Sequence, residues 1–319
     1  MAELRQFMDE FLDASDVVTA HTSGSTGTPK QILLKKSDMR ASARATNAFF
    51  GIGTDSLLCS ALSVDYIAGK MMAVRALEAN CRLVCLTPSN TPDISAIDNV
   101  IDLMAVTPSQ IPALLQFSDL SERVRNLLIG GAPLPPMTGR MLLDCGVKAW
   151  LSYGMTETCS HVALAPLTAE TPLYRAMPGI TFAADADGRL RIMAPAYSFG
   201  ELATNDVVEL IDCHTFRWIG RADNAINSGG IKLHPEVLER QFGELLPTVA
   251  FYLTSEPHPL WGSALVMVIE GSETDADAAR AVLDDAIADR RTLPKRYIAV
   301  AKLPRTASMK ILRLNPSQL

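Results

Sequence analysis

Nine residues in this chain combine hydroxyls, glycines and a lysine at a spacing suited to holding phosphate: Thr22, Ser23, Gly24, Ser25, Thr26, Gly27, Thr28, Pro29 and Lys30. Gly24 and Gly27 let the main chain approach a ligand closely. The hydroxyls and backbone N–H groups can then converge on anionic oxygens, and Lys30 adds a point charge. The guest this predicts is a nucleoside triphosphate, although such a run also serves as a solvated turn. A Walker-type loop is excluded, because that motif sets its lysine directly after the second glycine and follows it with Ser or Thr. Here Thr28 and Pro29 intervene, and Gln31 follows Lys30.

Chain-wide features narrow the reading. The 319 residues suffice for one large domain and a smaller one. With 48% hydrophobic residues, 20% charged residues and a formal net charge of −6, the composition is that of a soluble globule. An acidic balance without a Lys/Arg run argues against a nucleic-acid partner. No run of about twenty uncharged apolar residues occurs, so no membrane span is expected. Glu3, Asp9, Glu10 and Asp13 make the start unlike a signal peptide, so the expected compartment is the cytoplasm. Cysteines at 59, 81, 85, 145, 159 and 213 form no zinc set and read as buried thiols. The sequence leaves homo-oligomer formation open.

The elements that must position these groups alternate through the first two-thirds of the chain. Arg82–Leu86 and Leu127–Ile129 read as strands, while Ala96–Met104 and Thr138–Cys145 carry helical spacing. That alternation predicts an α/β fold with a largely parallel sheet. Its ligand would lie beyond the carboxyl ends of the strands, where Gly130, Gly131, Ala132 and Pro133 fall. Near residue 184 the pattern turns to alternating strands through Trp218, as in a small β-rich unit. A boundary at Arg221–Asn224 is expected, followed by a helix over Pro235–Phe242, strands over Val249–Leu253 and Leu265–Glu270, and an acidic helix over Asp275–Arg290.

Four further segments, taken with the phosphate loop, resemble one family in the family's own order. They are Tyr153–Thr158 (YGMTET), Leu202–Asp206 (LATND), Gly220–Glu236 (from GRAD through INSGGIK to PE) and Pro304–Arg313 (PRTASMKILR). The chain is similar to the acyl-adenylate-forming superfamily over roughly residues 19–313. This resemblance implies a large N-terminal α/β domain with mixed sheets (1–221) and a small mobile C-terminal α+β domain (222–319). It implies two half-reactions: a carboxylic acid attacks the α-phosphorus of ATP, and a thiol, usually coenzyme A, then displaces AMP. In that scheme Lys310 is the adenylation lysine, Glu157 the magnesium-linked glutamate, and Thr156 a contact of the α-phosphate. Tyr153 and Gly154 flank the adenylate, with the tyrosine over the adenine face, and Gly130, Gly131 and Ala132 lie against the adenine. Asp206 accepts from the ribose hydroxyls and Arg221 meets the same ribose. Asp223 is the hinge, and Gly229 and Gly230 line the pantetheine tunnel. Cationic groups suit in-line attack of one anion on another, and a carboxylate beside phosphates suits Mg2+.

Two segments, Asp65–Met72 (DYIAGKMM) and Tyr153–His161 (YGMTETCSH), resemble the o-succinylbenzoate–CoA ligases of menaquinone biosynthesis, especially their short forms. By that resemblance Cys159, Ser160 and His161 line the acyl pocket, Lys70 is a candidate cation, and Tyr66 stands where many relatives have a gating histidine. Asn205 replaces the glycine before Asp206, and Met309 the glycine before Lys310. With the loop starting at residue 22, most of the N-terminal subdomain of longer relatives is expected to be missing. Another aryl or acyl acid, loading of a carrier-protein thiol, and a nucleotide-binding relative without catalysis remain alternatives.

Overall fold

A computed structural model describes residues 2–21, 31–306 and 311–319. The chain is a mixed α/β structure built on two main sheets. The first half of the larger sheet is parallel, in the order Arg82–Cys85, Leu57–Ser60, Leu103–Val106, Leu127–Ile129 and Ala149–Gly154. Leu57–Ser60, Leu103–Val106 and Leu127–Ile129 are buried at every residue, as expected for strands covered on both faces. Helices Lys36–Phe50 and Ile67–Ala79 pack against each other on one side of this block. The amino-terminal helix Ala2–Leu12 buries Phe7 and Phe11 beside the hairpin of Val17–His21 and Gln31–Lys35.

The sheet changes character at Ala149–Gly154, whose other edge pairs antiparallel with His161–Pro166. From there it runs antiparallel through Tyr174–Ala176, Thr215–Arg221, Gly200–Asp212, Arg189–Ala194 and Thr181–Ala184, eleven strands among the described residues. The β-rich stretch expected near residue 184 is a continuation of the same sheet. Phe182, Phe216, Leu190 and Ile192 join the core that also holds Leu58, Leu103 and Tyr153.

The helix expected over Ala96–Met104 is absent. Its last two residues open the buried strand Leu103–Val106, and Ile101 bridges to Val124. The Asp102 N–H bonds the Leu57 carbonyl at 2.8 Å, and the Asp102 carboxylate accepts from the Leu57 N–H at 2.8 Å. The expected helix over Thr138–Cys145 forms as Pro136–Asp144.

After Arg221 a short 3-10 turn, Ala222–Asn224, leads into a second sheet. Its order is Ile231–Leu233, Ile226–Ser228, Gly262–Glu270 and Phe251–His258, with Arg296–Val300 parallel to Gly262–Glu270. Helices Pro235–Leu245 and Glu273–Ala286 contribute Phe242 and Leu283 to a core with Leu253, Leu265 and Met267. The first of these helices also touches the larger sheet. Glu236 sits over Gly220, and Gly243 against Pro136.

One crossing tolerates no side chain. A Cβ on Gly154 would lie 2.2 Å from the Ser160 carbonyl oxygen and 2.5 Å from the His161 Cα. Backbone atoms cannot swing aside as a flexible side chain does. Gly154→Ala is expected to destabilise the chain by about 1–3 kcal/mol or more in urea unfolding. An unchanged midpoint would overturn this account of the crossing.

Candidate active site

The parallel strands end together, and the small residues that follow them are fixed by close contact. Gly130 follows Leu127–Ile129, and a Cβ there would stand 2.4 Å from the Ser152 Oγ. Ser152 donates to the Ile129 carbonyl at 2.9 Å, joining neighbouring strands at the same level. Gly131 has φ +88°, a conformation that suits glycine. Gln110 gathers the neighbouring strand ends. Its amide donates to the Ala61 and Ser89 carbonyls at 3.1 and 2.7 Å, and its oxygen accepts from the Thr107 N–H at 3.0 Å.

Beyond Gly154, residues Thr156–Thr158 form a 3-10 turn between the two strands of the crossing. The Thr158 hydroxyl stands 3.0 Å from the Met155 carbonyl and 2.7 Å from the Ser160 carbonyl, and accepts from the Met155 N–H at 3.0 Å. Cys159 completes the turn at φ +62°, a left-handed conformation uncommon outside glycine. Burial and the charge of Asp38 push the Cys159 thiol up to about 12, so it stays protonated. Thr156 is buried at this turn, whereas Glu157 is exposed and held by no side-chain partner among the described residues. No cluster of three acidic, His or Cys side chains able to hold a metal occurs among the described residues. A lone exposed carboxylate still fits Mg2+, which commonly takes one or two protein carboxylates and completes its shell with phosphate and water.

A second group of candidate residues meets at Asp206. This aspartate is buried, and one carboxylate oxygen accepts from the Tyr153 hydroxyl at 2.7 Å. The other accepts from the Trp218 indole N–H at 3.1 Å. Burial, and then the Asp206 charge and hydrogen bond, raise the Tyr153 pKa well above its ordinary value, so the phenol remains a donor. Its ring lies within the core, edge-on to Phe216 and Tyr174. Arg221 is the cross-strand partner of Asp206, and its guanidinium bonds Asp223 at 2.7 Å. The structure thus brings Tyr153, Asp206, Arg221 and Asp223 into one chain of contacts and adds Trp218, which the sequence reading did not single out.

Ser160 and His161 come together around a residue the sequence reading missed. Arg75 is 2% exposed, and its guanidinium donates to Ser160 Oγ at 2.6 Å and faces His161 Nδ1 at 3.5 Å. Its other terminal nitrogen contacts Met72 Sδ at 3.4 Å, and its Nε–H has no hydrogen-bond partner. No carboxylate pairs with it among the described residues. Burial pulls its pKa down to about 10, which leaves it charged at neutral pH. On the opposite side of His161, Nε2 stands 3.1 Å from Thr46 Oγ1. Burial first, and the Arg75 charge second, drive the His161 pKa well below its ordinary value, so the ring is neutral. The available signal was a single arginine within the apolar stretch Met71–Leu77.

Lys70 and Tyr66 do not join this cluster. Lys70 lies five residues before Arg75, about 140° around the helix. Its ammonium sits 4.4 Å from the centroid of the Phe7 ring. Burial lowers its pKa, opposed by the charges of Glu10 and Asp65. Tyr66 precedes the same helix and is exposed. Gly229 and Gly230 form an exposed turn with φ +56° and +83°, and Gly229 packs beside Trp261. The Gly229 N–H bonds the Trp261 carbonyl at 3.1 Å. The phosphate-loop candidates Thr22, Ser23, Gly24, Ser25, Thr26, Gly27 and Lys30, and the candidate lysine Lys310, lie outside the described residues.

Comparison with known proteins places this architecture. The family model for AMP-binding enzymes matches residues 5–193, more than half of the chain. A 2-succinylbenzoate–CoA ligase from Listeria monocytogenes is 26% identical, over 92% of this chain and 68% of its own length. A solved acyl-CoA synthetase (AMP-forming)/AMP-acid ligase II-like protein from Dyadobacter fermentans is 33% identical. It superposes with a TM-score of 0.65, covering 97% of this chain and 91% of that one. O-succinylbenzoate coenzyme A synthetase from Bacillus subtilis, solved with ATP and magnesium, shares the fold at 21% identity and a TM-score of 0.76. That match covers 92% of this chain and 68% of the Bacillus chain. The chain therefore belongs to the AMP-binding enzyme family of AMP-forming ligases.

Proposed function

We propose that this enzyme activates o-succinylbenzoate with ATP and transfers the acyl group to coenzyme A. The observation that carries the reading is Arg75, a buried guanidinium with an unpartnered N–H and no acidic neighbour among the described residues. Desolvating an unpaired charge is costly, and removing the partner of a buried charge usually costs several kcal/mol. A substrate carboxylate would supply the missing partner. An acid activated at one carboxylate must then carry a second one, as o-succinylbenzoate does. The curated relative from Listeria, a 2-succinylbenzoate–CoA ligase, supports the same choice.

In the first half-reaction a carboxylate oxygen of the acid attacks the α-phosphorus of ATP, and the bond to pyrophosphate breaks. Asp206, held by Tyr153 and Trp218, offers carboxylate lone pairs to the ribose hydroxyls, with Arg221 beside it. Gly130, Gly131 and Ala132 let the backbone lie against the adenine. Thr156 approaches the α-phosphate, and Lys310 bridges the reacting carboxylate and that phosphate. Mg2+ held by Glu157 would neutralise charge on the phosphate oxygens. In the second half-reaction the sulfur of CoA attacks the acyl carbon, the bond to AMP breaks, and the thiol proton is released. The segment 222–319 acts as a mobile domain turning about Asp223, so that Gly229 and Gly230 border the path of the thiol.

Product analysis by mass spectrometry with ATP, Mg2+, CoA and a panel of acids tests this reading. The CoA thioester of o-succinylbenzoate is expected, and thioesters from other acids alone would discard the substrate. Arg75→Met should raise the KM for o-succinylbenzoate by about 10- to 100-fold, the range for loss of a charge-assisted hydrogen bond, with the KM for ATP unchanged. Equal effects on both substrates would refute the Arg75 assignment.

Lys310→Ala should abolish adenylate formation while preformed adenylate still passes to CoA. Parallel loss of both half-reactions would exclude this role for the lysine.

His161 gives a pH test. A histidine held neutral when folded contributes nothing unfavourable above its unfolded pKa of about 6.5. Below that value only the unfolded chain takes up the proton, so stability falls as pH falls. The contribution is at most on the order of 1.4 kcal/mol per pH unit. Urea unfolding between pH 5 and 8 should therefore show a shallower acid slope for His161→Gln than for the parent. Superimposable slopes would contradict the buried neutral ring.

A further inference from the structure

The hydrogen bonds around His161 have a direction that can be read from both edges of the ring. Arginine carries donors only. Its terminal nitrogen lies 2.6 Å from Ser160 Oγ and 3.5 Å from His161 Nδ1, so both of those atoms face an obligate donor. Ser160 accepts from Arg75 and keeps its own proton for Nδ1, 3.3 Å away. At the other edge Thr46 Oγ1 donates to the Ser42 carbonyl at 2.9 Å and lies 3.1 Å from Nε2. A hydroxyl has one hydrogen. With that hydrogen on Ser42, Thr46 can only accept from Nε2. The Thr46 edge therefore takes the proton on Nε2, and the Arg75 edge suits the lone pair this leaves on Nδ1, whereas Ser160 Oγ, with one hydrogen and two lone pairs, can meet either tautomer.

We propose that Thr46 is a positioning residue that fixes His161 as the Nε2–H tautomer and so holds the Ser160 proton on Nδ1 while its oxygen accepts from Arg75. The consequence for the acyl pocket, which rests on the substrate reading above, concerns donors. Ser160 spends its proton on His161 and offers none to the acid. Arg75 is held at one terminal nitrogen while its Nε–H stays available for a carboxylate. In the opposite tautomer Nδ1–H would donate to Ser160 Oγ, which has a lone pair for the ring as well as one for Arg75, and the serine proton would be released from the histidine.

Thr46→Val keeps the shape and removes the acceptor, which leaves a buried Nε2–H unpaired. The ring is then expected to move its proton to Nδ1. Thr46→Ser retains the hydroxyl and should restore the parent state. Nitrogen-15 NMR of the full chain at pH 7.5 distinguishes the two neutral tautomers, and His161→Gln identifies the signal among the five histidines. Nε2–H is expected in the parent and in Thr46→Ser, and Nδ1–H in Thr46→Val. The KM for o-succinylbenzoate should rise roughly tenfold in Thr46→Val, with the KM for ATP unchanged and Thr46→Ser close to the parent. Nδ1–H in the parent, or Nε2–H persisting in Thr46→Val, would overturn the proposal. If Thr46→Val does not fold, the parent and Thr46→Ser spectra still decide it, since Nδ1–H in either one refutes it. The expected tautomers without turnover of o-succinylbenzoate would leave Thr46 in its role and remove the substrate reading instead.

Discussion

At Gly154 two strands pass so closely that the space beside the Cα is filled by the backbone of Ser160 and His161. The rest of the site is arranged around this crossing. It is the point where the parallel half of the large sheet gives way to the antiparallel half. The residues between the two strands therefore stand at the carboxyl ends of the parallel strands, the side on which open α/β sheets bind ligands. Glu157 is exposed on the short turn and Thr156 buried within it, while Ser160 and His161 are drawn back beneath the helices that carry Thr46 and Arg75. The left-handed Cys159 is the local cost of turning the chain in so few residues.

The two halves of the sheet are tied together by polar contacts as well as by packing. Tyr153 is the penultimate residue of the last parallel strand, and Asp206 and Trp218 belong to antiparallel strands far along the chain. A buried carboxylate is tolerable when donors meet both of its oxygens. The same donors fix the direction in which its remaining lone pairs point. Arg221 extends the connection to Asp223 and hence to the start of the smaller sheet. The buried aspartate and the start of the C-terminal segment are thus joined through one arginine.

Two strands of the parallel block, Arg82–Cys85 and Leu127–Ile129, were legible because they are short, largely apolar runs followed by Pro or Gly. Ordered motifs likewise marked Tyr153, Asp206 and Arg221, which the structure brings together. The failed helix over Ala96–Met104 shows the limit of periodicity: Leu103 and Met104 satisfy a helical spacing, yet their burial between two parallel neighbours decides for a strand. Continuity of the β-rich stretch with the main sheet depends on pairing between distant strands, which no local pattern records. Arg75 was visible as a lone charge in an apolar helix, but its partners Ser160 and His161 lie some 85 residues further on. Thr46 carried no signal at all, since its significance arises only from the proton inventory of its neighbours.

A buried guanidinium with no counter-charge among the described residues makes the chain fold against a standing electrostatic penalty. Any anion that enters and pairs with Arg75 binds the native state alone, and so raises the free energy of unfolding by mass action. Under the proposed function, melting temperature then reports binding of the acid and needs neither nucleotide nor turnover. Acids could be ranked by the heat the protein withstands, with their order set by how well each one neutralises a single buried arginine.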